Sequence, residues 1–141
     1  MRPSLPNTIL AGIAGTAVMT VVMYLAPSMG LPRMNAAEML SGMTGAPVVV
    51  GWLMHVMIGV AFALLYSYVF LHVVRVQNVP LRGALFGVSV FVLAQVAMFM
   101  MRSMVAPMAA TPGGTGAMIL GSLIGHMMYG IPVALVARST H

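Results

Sequence analysis

The sequence predicts an all-α fold. It predicts a bundle of four transmembrane helices made of two tandem parallel two-helix repeats, with a short surface helix in the first outer loop. Three observations carry this expectation. Of 141 residues, 61% are hydrophobic and 5% charged, and the mean hydropathy is +1.05. A soluble domain carries about a quarter charged residues, so six arginines and one glutamate cannot make a soluble surface. Four apolar runs are each long enough to cross a bilayer, which takes about 20 helical residues. Finally, one histidine-centred pattern occurs twice.

The first span is placed at Asn7–Ala26. Arg2 precedes it, but the apolar stretch is too long for a signal peptide and no small-x-small cleavage site follows, so it is expected to remain in the mature chain. Pro27 and Pro32 end it. In the 27–46 connection, Asn35 is followed three residues later by Glu38, the spacing of a capping box. Met34, Ala37 and Leu40 share one face and Gly42 can stop the turn. A short helix lying on the outer surface is expected there, with the Glu38 carboxylate reaching back to the Asn35 N–H. The second and third spans, Pro47–Leu71 and Pro80–Val105, each open on a proline, which the first turn tolerates because its N–H has no partner there anyway. The fourth, Gly116–Ala137, contains Pro132 and is expected to kink or to free a carbonyl. The whole chain, 1–141, reads as one integral membrane domain, with repeats over about 7–71 and 80–138.

The repeat is read from GWLMHVMIGVAFALL and IGHMMYGIPVALVAR. His55 matches His126, Met57 matches Met128, Gly59 matches Gly130 and Ala63 matches Ala134, all at one common offset. Gly15 and Gly87 match at an offset longer by a single position. In the second span Gly51, His55, Gly59 and Ala63 recur every four residues, and in the fourth Ser122, His126, Gly130 and Ala134 do so. Residues four apart share a helical face, so each histidine sits in a stripe of small residues. Such stripes let helices approach closely in lipid, and each is expected to face the bundle interior. Two spans per copy give both copies one orientation, which predicts a pseudo-two-fold axis along the membrane normal.

Arginines set the orientation. Arg2, Arg75, Arg82 and Arg138 fall on the side of the termini, against Arg33 and Arg102 on the other. This predicts cytoplasmic termini, in a bacterial inner membrane. The arginines are single and at the ends of apolar runs, which argues against nucleic acid as a partner. The lipid bilayer is the expected partner, with a larger membrane complex or homo-oligomer beyond it. With no cysteine, no aspartate and Glu38 as the one carboxylate, thiolate chemistry and paired-carboxylate catalysis lose their residues, and the protein is expected not to be an enzyme. Trp52 and Tyr24, with Tyr66 and Tyr68, read as an aromatic belt. His72 and His141 read as solvated. The Gly113–Gly116 run reads as a loop, since it lacks the lysine of a phosphate site.

The stretch MGLPRMNAAEMLSGMTGAPVVVGWLMHVMIG, residues 29–59, resembles a family of small four-helix bacterial membrane proteins of unknown function. The shared pattern is Met-Gly-Leu-Pro, Asn35 with Glu38-Met-Leu, a Met-Gly pair, Gly51-Trp52, and His55 with Ile58-Gly59. The resemblance implies the four-helix architecture and supplies no activity.

An ionisable group inside a membrane span is a candidate functional residue, so His55 and His126 are the candidate site. Four roles compete. Each imidazole can hydrogen-bond a neighbouring helix, with Thr16, Thr20, Ser89 and Gln95 as available partners, in an accessory or assembly subunit or a small binding protein. The pair can ligate haem b, with Gly59 and Gly130 leaving room for the flat ring. The 17 methionines, including Met54 and Met127 beside the two histidines, can hold copper with the imidazoles, since thioether and imidazole suit Cu(I). The repeat interface can pass a small solute or proton.

Overall fold

The computed structural model describes residues 3–104 and 115–137. Within them the chain is helical and has no strand. Helix α1 spans Leu5–Leu25; Ser4 caps it, its Oγ accepting from the Asn7 N–H, with Pro6 in the first turn. A 3₁₀ turn, Ala26–Met29, ends on Gly30. Helix α2 spans Ala36–Thr44, and the Asn35 side chain accepts from the N–H groups of Ala37 and Glu38. The capping box is therefore half formed: Glu38 is exposed, and its carboxylate makes no bond to the Asn35 N–H among the described residues. The helix runs past Gly42 to Gly45, whose φ of 68° is the left-handed conformation that closes a helix.

Helix α3 spans Val48–Leu65 and continues through a π turn, Tyr66–Phe70, into the short α4, Leu71–Val73. Helix α5 spans Val79–Met104 and α6 spans Thr115–Val136. Helix α6 stays α-helical across Pro132, so the wide turn falls in the second span instead of the fourth. Four stretches, Leu5–Met29, Val48–Val73, Val79–Met100 and Gly116–Val136, are long and apolar enough to cross a membrane.

The helices pack as a bundle in which the ends of the order α3–α1–α6–α5 come together again. Helix α1 packs against α3 on one side and α6 on the other, and α6 packs on its far side against α5. The contacts are glycine-mediated. A β-carbon on Gly12 would fall 2.6 Å from Val60 Cα, and one on Gly59 would overlap Thr16 Oγ1. On the other side, a β-carbon on Gly83 would fall 2.6 Å from the Gly130 carbonyl, and one on Gly87 would overlap the His126 carbonyl. Gly15 does not play the part expected of it: it faces Tyr129 and Val133 of α6. Helices α3 and α5 meet chiefly through aromatic side chains. Tyr66 and Phe70 each stand edge-on to Phe86, with ring centroids 5.0 Å apart. The α1/α6 backbones approach more closely than the α3/α5 pair does.

A cluster of bonds ties the π turn to the starts of α1 and α5. The buried Thr8 and Ser67 hydroxyls hydrogen-bond at 3.0 Å, and Arg82 Nε donates to the Tyr66 hydroxyl at 3.0 Å. The Tyr129 hydroxyl, buried between α1, α3 and α6, donates to the Gly59 carbonyl.

Candidate functional site

The two histidines lie within the first half of α3 and at the middle of α6, in different surroundings. His55 is half-buried. Its Nε2 lies 3.4 Å from Thr20 Oγ1 of α1, and Trp52, one turn earlier, stands edge-on to its ring at 6.2 Å. His126 Nδ1 lies 2.7 Å from the Ser122 carbonyl of its own helix, so Nδ1 carries the proton and donates. Its ring meets Phe91 of α5 at 5.9 Å. No hydrogen bond joins the two rings. Of the other polar groups considered as partners, Thr16 donates to Gly12 of its own helix and Ser89 to Leu85. Gln95 is exposed.

The packing does not fit a haem clamped between these imidazoles. The ring would need the space beside Gly59 and Gly130. Thr16 and the Gly12 backbone fill the first, and the backbones of Gly83 and Gly87 fill the second. Those glycines serve helix contact.

Open space adjoins His55. A cavity of about 350 Å³ is lined by Met19, Thr20, Met23, Met34, Trp52 and His55, with Arg33 and Asn35 among the residues at its polar margin. The methionines converge because α6 presents glycines to them. The Met23 sulfur lies 2.6 Å from where a β-carbon on Gly125 would be, and Met19 Cε 3.5 Å from the same point. One turn earlier, Met34 Cε reaches 2.5 Å from the Gly121 position. Met23 is buried, and Met19 and Met34 are half-buried. Met54 and Met127 do not line this cavity. Sequence neighbours on a helix point about 100° apart, so a methionine beside a histidine faces elsewhere; Met127 has its Cα against Gly87 of α5. The signal that could have found Met19 and Met23 is their four-residue spacing, with Thr20 between them on the α1 face toward His55.

A family model for a family of unknown function, DUF6789, matches residues 4–141. The chain belongs to that family. No curated protein and no solved structure matches it. The DUF6789 match takes in all four candidate spans and every residue of the His55 cavity.

Some of the sequence's candidates fall elsewhere. His72 is exposed beyond the π turn. His141, Met108 and the side chains of Met101 and Met104 lie outside the described residues. So do Gly113 and Gly114 of the glycine run. Among the described residues no three histidine or acidic side chains gather as a metal cage.

Proposed function

We propose that this DUF6789 protein is a non-catalytic integral membrane protein that binds copper(I) in the cavity beside His55. The observation that carries the reading is the donor set. Three methionines from two segments and one imidazole line a single cavity, and no carboxylate or thiol joins them. Thioether and imidazole are soft, uncharged ligands and select Cu(I) over Zn, Mg or Ca, which favour thiolate, carboxylate or water. A monovalent ion with neutral ligands is also the least costly cation to hold at membrane depth. Arg33, exposed at the margin, opposes a cation weakly through solvent and adds a reason for a single charge.

The arginine distribution supports cytoplasmic termini, which puts the cavity toward the opposite face of a bacterial inner membrane, under a helix α2 that lies along that surface. One contact recurs, Gly12 on Gly59 and Gly83 on Gly130, with the same sequence separation between partners each time. That recurrence supports two tandem repeats. The non-catalytic reading rests on the single carboxylate and absent cysteine.

The test is copper content. Protein purified gently from its native membrane, then titrated with Cu(I) under reducing conditions against a colorimetric chelator, is expected to hold one copper per chain. Met23→Leu and Met34→Leu, which keep side-chain volume, are each expected to weaken binding at least tenfold, as is His55→Ala. A folded protein that holds no copper, or whose affinity ignores both methionines, overturns the reading. Both histidines then return to helix packing in an accessory or assembly subunit.

A further inference from the structure

Helix α5 has one face committed and one face bare. Gly83, Phe86, Gly87 and Val90 are buried toward α6 and the aromatic cluster. On another face, Leu81, Leu85, Val88, Val92, Gln95 and Phe99 are all exposed. Their spacing is four, three, four, three, four, the alternation of the a and d positions of a coiled coil. Five of the six are large and apolar, as any lipid-facing helix would show. Gln95 is not. It lies within the Val79–Met100 span, five residues or about 7.5 Å from the outer end, and its carboxamide has no hydrogen-bond partner among the described residues. An amide left unpaired in hydrocarbon is costly, and helices in membranes satisfy such groups across helix interfaces.

We infer that α5 pairs in parallel with α5 of a second copy, through a seam on which Gln95 meets Gln95 of the partner subunit. Complementarity selects the occupant. A carboxamide carries both a positive N–H pair and a negative carbonyl oxygen, so it is its own complement across a two-fold axis, where each residue meets its equivalent. No charged residue stands on the seam, so nothing on it recruits a partner of opposite charge. Copies inserted in one orientation present α5 in parallel, and a 3.5-residue repeat keeps the seam in register along the left-handed crossing. A single polar residue at one such position fixes register and copy number. No residue of α5 lines the His55 cavity, so association and copper binding are separate properties.

The chain lacks cysteine, so an introduced one reports alone. The full chain carrying Gln95→Cys, in liposomes under mild oxidation, is expected to form a disulfide-linked dimer. Ala97 is exposed but lies two positions on, about 200° around the helix, so Ala97→Cys is expected to stay monomeric on the gel. Two-colour single-molecule counting in liposomes should show the natural chain as dimers and Gln95→Leu with association weakened at least tenfold. Helical content should be unchanged, because Gln95 holds nothing within its own chain. A natural chain that counts as a monomer across protein-to-lipid ratios, equal cross-linking at both positions, or undiminished pairing of Gln95→Leu each overturns the inference. Dimerisation only in the presence of another membrane protein does so too.

Discussion

His55 and His126 sit on the same kind of glycine-rich helix contact, and the cavity described above is lined by His55 and not by His126. The difference lies on the partner helix. Advancing from α1 to α5 by the offset that relates the two histidines replaces Met19 by Val90, Thr20 by Phe91 and Met23 by Ala94. Beside His55, flexible methionines and a small threonine leave space, and the 27–46 connection supplies Met34 to its wall. Beside His126, Phe91 closes the gap and the ring turns back to its own Ser122 carbonyl. The glycine contact sets where a histidine sits; the opposing residues decide whether it can bind anything.

The largest test of that comparison concerns the contacts themselves. Gly130→Ala would put a methyl group into the Gly83 carbonyl and the Gly87 backbone, which no side-chain rotation relieves. Gly59→Ala would chiefly meet Thr16 Oγ1. Overpacking costs ~1–3 kcal/mol. Gly130→Ala is expected at the upper end in detergent unfolding, and Gly59→Ala is expected to be restored largely by Thr16→Gly, the residue found at position 87. A Gly59→Ala loss that Thr16→Gly leaves untouched breaks the parallel between the halves.

Thr20→Phe should sharpen it. Giving α1 the residue that α5 carries at the matching place is expected to fill the space at His55 and lower copper affinity at least tenfold, or about 1.4 kcal/mol, with the folded state retained. Unchanged affinity would mean that the phenylalanine is not what closes the other half. The smallest effect is expected from Tyr129→Phe, which removes the hydroxyl that α6 sends to the Gly59 carbonyl. That loss is worth about 1 kcal/mol and is read by the same unfolding curve. A neutral result would mean that this hydrogen bond adds nothing to the packing of α6 on α3.

The four long apolar helices were legible because each is an uninterrupted apolar run of bilayer-spanning length, and their ends fall within about two residues of the expected places. The α2 start was legible from Asn35, whose side chain can do little else at that position. Its end was not, since Gly42 and Gly45 look alike in sequence and only Gly45 takes the left-handed conformation. The glycine register was misplaced in α1: Gly12 and Gly15 both suit close approach, and which neighbour each meets is decided by packing. His55 was legible as an ionisable group within an apolar span. The methionines around it were not, because they come from α1 and the following connection. Adjacency in sequence pointed instead to Met54 and Met127.

The wide turn at Tyr66–Phe70 adds one residue to the local helical cycle. Two consecutive helical residues point about 100° apart, so neighbours in sequence can reach different helices. Here Tyr66 and Ser67 are both buried, and each grips a different helix, Arg82 at the start of α5 and Thr8 at the start of α1. Removing one residue from this turn would rotate the phase of the remainder and release at least one of the two grips. The turn therefore works as a splice. It joins the opening segments of two helices from opposite halves of the chain.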